Sequence, residues 1–262
     1  MPTSTQSRET QVQQSSRPRT FLTAEWLNLL MLNYAVEPSV LQRFVPAGTV
    51  LDTFDGRPYM SLIGFQFNRT RVLGFAIPFH QNFEEVNVRF YVRRGSKRAA
   101  VFISELVPKR AIAAVARWVF NEKYQRVPMS HLIETRPDGE VAKAEYVWRA
   151  GKEQCAIKIE TEGPSFLPDP GSESEFITEH YWGYAAQPDG GTLEYEVQHP
   201  QWSVWKAKQA TFTGNTTALY GPEIATILMR APDSAFLAKG SAVTVSKGTR
   251  IATEGMRPLK VS

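Results

Sequence analysis

Cysteine occurs once in this 262-residue chain, as Cys155. An internal disulfide and a cysteine-rich metal site are both excluded. Cys155 falls on the apolar side of an expected strand and reads as a small core residue. Long hydrophobic runs are also missing. A membrane-spanning helix needs roughly 18 to 20 apolar residues, and the longest candidate, Ala111 to Phe120, is short and interrupted by Arg117. The first residues carry no apolar core of a signal peptide, so a soluble, cytoplasmic protein without membrane contact is expected. Nucleotide chemistry lacks its usual marks: there is no Gly-rich phosphate loop and no dinucleotide fingerprint. A Gly-x-Ser-x-Gly nucleophile elbow is absent too. The four histidines, His80, His131, His180 and His199, are not spaced as metal ligands, so no metal and no cofactor are expected.

What is present suffices for a packed core. Hydrophobic residues make up 42% of the chain and aromatics 11%. The net charge is +4. Half of it comes from the first twenty residues, where Arg8, Arg17 and Arg19 face only Glu9. The rest gathers at Arg93, Arg94, Lys97 and Arg98, around the turn residues Gly95-Ser96. Nucleic-acid binding wants a basic stripe with aromatics on the same surface, and the sequence shows none. Residues 1–19 are rich in Ser, Thr, Gln and Arg and are expected to form a disordered tail. The remainder, 20–262, has no repeat and no polar linker, and is expected to be one domain.

Turn signals divide that remainder into short strands. Trp26 to Val36 reads as a buried strand and Pro38 to Phe44 as a short helix. Leu51 to Thr53 and Tyr59 to Asn68 are expected to form a hairpin across Asp55-Gly56. Arg71 to Gln81 reads as a loop. Another hairpin is expected at Gly95-Ser96, then a strand to Leu106 and a helix from Pro108 to about Asn121. Strands follow at Val127–Glu134, Glu140–Trp148 and Gln154–Glu160, with turns at Asp138-Gly139 and Ala150-Gly151. A short helix at Ser172–Thr178 precedes a hairpin of Leu193–His199 with Ser203–Thr211. The last strands are placed between Ile224 and Ser246. Many strands in hairpin order with few helices predict a β-rich α+β fold whose antiparallel sheet is closed or strongly coiled.

One strand stands out. Glu84 to Val92 alternates with period two. Val86, Val88, Phe90 and Val92 form one face; Glu85, Asn87, Arg89 and Tyr91 form the other. Same-face neighbours lie about 7 Å apart, so an acid, an amide, a guanidinium and a phenol in a row can reach several parts of one small molecule. A half-buried strand with a wet outer face fits the alternation equally well. His180, Lys109 and Lys123 are weaker candidates. A nucleophilic lysine needs a desolvated or cation-crowded setting, and helix ends are usually solvated.

Several segments together resemble a known family. They are Phe21 to Trp26, Phe44-Val45-Pro46-Ala47-Gly48, Asn82 to Arg89, Pro108 to Tyr124, Phe176 to Tyr184, and Phe236 to Ser241. The chain resembles the YqjF-like uncharacterised family (domain of unknown function 2071), within the acetoacetate-decarboxylase-like superfamily. That resemblance implies a coiled, cone-like antiparallel β-barrel around a small-molecule pocket. It implies that a pocket-facing glutamate of the decarboxylases falls on Glu85. The decarboxylases take their reactive lysine from a Pro-Lys-Lys segment. Aligning the arginine that precedes it with Arg117 brings that segment to Tyr124-Gln125-Arg126-Val127-Pro128, which has no lysine. A second pocket arginine falls near Ala35.

The chemistry of these residue types favours a pocket for a small carboxylate or carbonyl compound. Glu85 is the catalytic candidate, because burial can raise a carboxyl into the range of acid–base work. Arg89 suits an anion through bidentate geometry. Asn87 and Tyr91 are placed to orient the ligand, with Tyr124 and Arg126 at one end. A lyase or hydratase working through Glu85 without a covalent lysine is an alternative. A non-enzymatic sensor or interaction module is another. Glu85 and Arg89 satisfying one another through Asn87 would give a structural network with no chemistry. The partner expected is a small molecule; a homo-oligomer is compatible with the sequence.

Overall fold

Alternating apolar residues drive nearly every segment of this chain into extended backbone. The computed structural model describes residues 19–109 and 124–251. The tail expected over 1–19, apart from Arg19, and nearly all of the helix expected from Pro108 to Asn121 lie outside the described residues. The strands are β1 (Thr20–Ala35), β2 (Val50–Leu51), β3 (Tyr59–Val72), β4 (Phe75–Ala76), β5 (Phe83–Arg94), β6 (Lys97–Val107), β7 (Tyr124–Arg126) and β8 (Met129–Thr135). They continue with β9 (Val141–Ala150), β10 (Glu153–Phe166), β11 (Trp182–Ala186), β12 (Thr192–Gln198), β13 (Val204–Thr213), β14 (Ser234–Ser246) and β15 (Thr249–Ile251). The helices are α1 (Pro38–Gln42), α2 (Glu173–Thr178) and α3 (Thr217–Met229). Among the described residues no helix is long and apolar enough to cross a membrane.

One sheet path runs β15-β12-β11-β6-β5-β3-β1-β14-β13-β10-β9-β8. A further pairing of β12 with β14 joins two points on that path, so the strands from β12 to β14 make a hydrogen-bonded ring. β14 is where ring and arm part. One of its edges is paired with β1 along most of its length. The other edge is shared: Ala238 to Phe236 pair with β13, and Val245 and Thr244 pair with β12. The arm β13-β10-β9-β8 folds back over the outside of the ring. Leu30, Leu62, Val86, Val88 and Phe90 of the ring pack there with Tyr146, Trp148, Ile157 and Ile159 of the arm. A second cluster occupies the inner side and includes Leu29, Met31, Ile63, Phe65, Phe67 and Trp202. β5 is therefore covered on both faces, which overturns the reading of a strand with a wet outer face.

The close approach of arm and ring has a local cause. β1 carries a bulge: its register with β3 slips between Leu27 and Leu30, and Asn28 adopts φ 54°. The Asn28 carbonyl accepts a hydrogen bond from the Tyr146 hydroxyl of β9 at 2.8 Å. Beneath Tyr146, β3 carries Gly64. A Cβ there would stand 2.7 Å from the Tyr146 ring and 2.8 Å from Ile157. Across from the bulge, Gly240 has φ 82°, and a Cβ on it would meet the Trp26 carbonyl oxygen at 1.9 Å.

Several expectations are corrected. The sheet is not purely antiparallel: β6 pairs in parallel with β11 and with β7. A parallel neighbour needs a crossover of a dozen or more residues, which residues 108–123 supply before β7. The Asp55-Gly56 turn exists, closed by the Phe54–Arg57 bridge. It does not join a hairpin, because β2 pairs with β5 instead. Arg71 to Gln81 is not all loop, since β3 runs to Val72 and β4 pairs back onto it. β12 and β13 are not a hairpin either; His199-Pro200 passes between two partners of β14. The helix at Pro38 ends at Gln42. Ile224 opens no strand: Tyr220, Ile224 and Leu228 are buried at helical spacing in α3, which breaks at Gly221-Pro222.

Gly64→Ala is expected to cost about 1–3 kcal/mol of stability, because a methyl group overpacks the junction of ring and arm. Gly240→Ala should cost more, since its neighbour is backbone and its φ is left-handed. Urea unfolding of both variants against the parent measures this. Equal stability of all three would contradict the close packing described.

Candidate functional site

The odd residues of β5 point into the ring. Glu85, Asn87, Arg89 and Tyr91 are all at least 93% buried by exposures of 2%, 2%, 7% and 1%. Each is held by particular partners. One carboxylate oxygen of Glu85 accepts from Asn87 Nδ2 at 2.9 Å, and the other from the Tyr124 hydroxyl at 3.1 Å. Tyr124 reaches this position because β7 lies alongside β6, with Tyr124 in register with Glu105. Arg89 donates from Nε to the Tyr91 hydroxyl at 3.4 Å and from Nη2 to the Ile177 carbonyl at 3.3 Å. Its Nη1 makes no hydrogen bond among the described residues.

From Tyr91 a hydrogen-bonded chain leads across the ring. The Tyr91 hydroxyl meets Ser61 Oγ at 2.7 Å, and Ser61 donates to Asn33 Oδ1 at 2.7 Å. Asn33 donates to Ser234 Oγ at 3.1 Å, and Ser234 donates to Glu173 of α2. Ser61 already donates to Asn33, so the Tyr91 proton points to Ser61 and its oxygen is left to accept from Arg89.

A cavity of about 100 Å³ adjoins this row. Glu85, Asn87, Arg89 and Glu105 form its polar wall; Trp26, Leu29, Phe65, Phe67 and Phe102 are among its apolar neighbours. Tyr124 also lines it. Tyr91 does not: it stands behind Arg89, stacked on His180 with ring centroids 4.4 Å apart. Arg126 stands apart from the cavity too; it is exposed and donates to the Pro108 carbonyl at 3.2 Å. No lysine is among the described residues lining the cavity. Lys109 lies instead on a separate polar groove with Glu84 and His131.

Burial governs the electrostatics. It pushes the Glu85 carboxyl up to about 7, against the opposing pull of its bonds to Asn87 and Tyr124 and of the Arg89 charge. Burial also holds His180 well below the usual imidazole range, reinforced by Arg98 and Arg89, so its ring is neutral. Its Nε2 lies 3.9 Å from Asp52, which is bound at 2.8 Å by Arg98. Cys155 is a buried core thiol pushed up to about 11.

Glu105 is the site residue that sequence reasoning missed. Counting back from the Gly95 turn puts it opposite Val86, on the apolar face. The register of β5 with β6 slips between Val88 and Arg89, and Ile103 becomes the extra residue. Glu105 is thereby moved opposite Asn87 and shares its face. Only the hairpin register, which the alternation cannot reveal, places it there.

The geometry can be set beside known proteins. The family described as an uncharacterized conserved protein, DUF2071, matches residues 23–242, and the chain belongs to it. The uncharacterized protein YqjF of Bacillus subtilis (strain 168) is 25% identical over 201 residues, which cover 75% of this chain and 80% of that one. Two solved enzymes share the fold. Acetoacetate decarboxylase from Legionella pneumophila aligns with a TM-score of 0.67 at 13% identity, over 96% of this chain and 99% of that one. The enduracididine biosynthesis enzyme MppR, complexed with pyruvate, aligns with a TM-score of 0.65 at 12% identity, over 93% and 95%.

The raised Glu85 carboxyl has a consequence for stability. Below pH 4.5 the group is protonated in both folded and unfolded chains and contributes no difference. Between 4.5 and about 7 the unfolded chain ionises while the folded one holds its proton, so stability falls as pH rises. Above 7 the loss is complete, about 3 kcal/mol at most. Glu85→Gln keeps the shape of the neutral acid and should remove this slope. Unfolding in urea at pH 5 and pH 8 is expected to show the variant gaining on the parent at the higher pH. Parallel behaviour of the two proteins would refute the shift.

Proposed function

We propose that this member of the DUF2071 family binds a short-chain carboxylate or carbonyl compound in the cavity of the strand ring. Arg89 takes the anionic end, and Glu85 serves as the acid–base group. The observation that carries the reading is the separation of the two charges. A structural pair would join Glu85 to Arg89; here they form no ion pair with each other. Each is held by other partners, and both line the same cavity. Burying ionisable groups costs several kcal/mol each unless they are well compensated, and a bound anion against Arg89 supplies such compensation.

Size supports the same class. A cavity near 150 Å³ accommodates benzene, so about 100 Å³ suits a molecule of roughly four to six heavy atoms. The fold neighbour MppR has been solved with pyruvate, a keto acid in that range. The carboxyl near 7 supports a second reading, a lyase or hydratase: such a group both gives and takes a proton at neutral pH. The aromatic residues around the cavity leave room, which argues against a plugged pocket kept only as a sensor shell.

Native mass spectrometry and titration with pyruvate test the binding. Arg89→Met is expected to weaken it roughly 10- to 100-fold, the worth of a charge-assisted hydrogen bond. Binding untouched by both Arg89→Met and Glu85→Gln would remove the cavity from consideration.

Imine chemistry makes a separate prediction. A Schiff base needs a neutral lysine at the pocket, and arginine stays protonated. Borohydride added to the protein with a β-keto acid should trap no reduced lysine in peptide mass spectra. A stoichiometric adduct on Lys109 or Lys123 would put lysine-dependent catalysis first.

A further inference from the structure

Within the polar wall, the hydrogen bonding of Asn87 is incomplete among the described residues. Its side chain is 2% exposed, and its Oδ1 accepts no hydrogen bond among the described residues. The amide orientation follows from its neighbour. With Glu85 ionised, one of its oxygens accepts a hydrogen bond from the Tyr124 hydroxyl and the other from Asn87 Nδ2. The nitrogen of Asn87 is therefore committed to Glu85, and its oxygen is the atom left for another donor. A buried carbonyl with no donor is costly, and such groups in proteins are normally partnered. Two positions along the same face stands Arg89, whose Nη1 is likewise without a hydrogen bond among the described residues.

We infer that the ligand carries a hydroxyl beside its carboxylate, as a short 2-hydroxy acid does, and that Asn87 Oδ1 accepts the hydroxyl proton while Arg89 holds the carboxylate. This rests on the cavity being the ligand site and narrows the ligand's class. The donor is taken as an uncharged one because the acceptor is a neutral amide; an ammonium here would meet the Arg89 guanidinium on one side and the Glu85 carboxyl on the other, so charge alone favours neither. Asn87 Oδ1 is already closed to water, and an acid without the hydroxyl fills the same space but leaves it without a donor. Sites built around a substrate hydroxyl discriminate strongly against analogues that lack it. Asn87 is then the specificity-determining residue and Arg89 the affinity-determining one.

Three acids of one shape make the test: propionate, lactate and alanine, with hydrogen, hydroxyl and ammonium at C2. Dissociation constants are measured on the full chain by calorimetric titration at pH 7.5. Lactate is expected to bind at least tenfold more tightly than propionate, with alanine no better than propionate. In Asn87→Leu the preference for lactate over propionate should fall below about threefold. The parent protein alone decides if that variant does not fold. Propionate binding as well as lactate, or alanine binding best, overturns the inference. If Arg89→Met still weakens all three acids, the cavity reading survives that outcome. If none of the three acids, nor pyruvate, binds the parent, the cavity reading falls and the inference falls with it.

Discussion

Two ionisable side chains on one buried strand set the terms for the rest of this structure. Removing a carboxyl and a guanidinium from water costs several kcal/mol each. The fold meets that cost in different ways for the two. Glu85 receives two hydrogen bonds and has its ionisation pushed up to about 7, so it is largely spared the charge at slightly acidic pH. A guanidinium stays charged in a protein. Arg89 is given a phenol oxygen and a carbonyl, with the Tyr91 ring 5.5 Å from its carbon. The phenol in turn depends on Ser61, Asn33 and Ser234, which lie on three further strands. These residues are direct cross-strand partners: Arg89 with Ser61, Ser61 with Asn33, Asn33 with Ser234.

That polar line pins the register of the ring. A slip of one residue would turn every side chain to the opposite face. Arg89 would then enter the apolar layer between ring and arm, where Val88, Leu62 and Leu32 now pack. The arm adds a second constraint from outside. Tyr146 satisfies the carbonyl of Asn28 that the β1 bulge leaves without a strand partner, and Gly64 makes room for its ring. With β5 fixed on its apolar face by the arm, its polar face is held in place against the cavity without help from solvent-exposed groups.

Much of this was legible in the sequence because it is local. Alternation identified the polar face of β5, and the turns at Gly95-Ser96, Asp138-Gly139 and Gly151 marked hairpins that exist. What was not legible is set by distant pairing. Asp55-Gly56 makes a real turn, but two residues of β2 find more to pair with on β5 than on β3. His199-Pro200 looks like a hairpin tip and is in fact a passage between two partners of β14. At the site, Glu85, Asn87, Arg89 and Tyr124 line one cavity. Tyr91 supports from behind, Arg126 stands apart, and Glu105 enters through a bulge that no periodicity announces.

The fold neighbours sharpen what distinguishes this chain. At 12–13% identity they share the path of the backbone, and a shared path does not fix the side chains that line a cavity. The segment that the decarboxylase resemblance sets against a lysine pair, Tyr124 to Pro128, contains no lysine, and the Tyr124 hydroxyl donates to Glu85. A phenol donating to a carboxylate favours its ionised form, while burial favours the neutral one. The two effects oppose each other at a single group, and burial exceeds the phenol's pull enough to bring Glu85 near neutrality. A carboxyl so balanced is suited to giving and taking a proton near neutral pH, which is the acid–base role proposed for Glu85 and calls for no covalent intermediate.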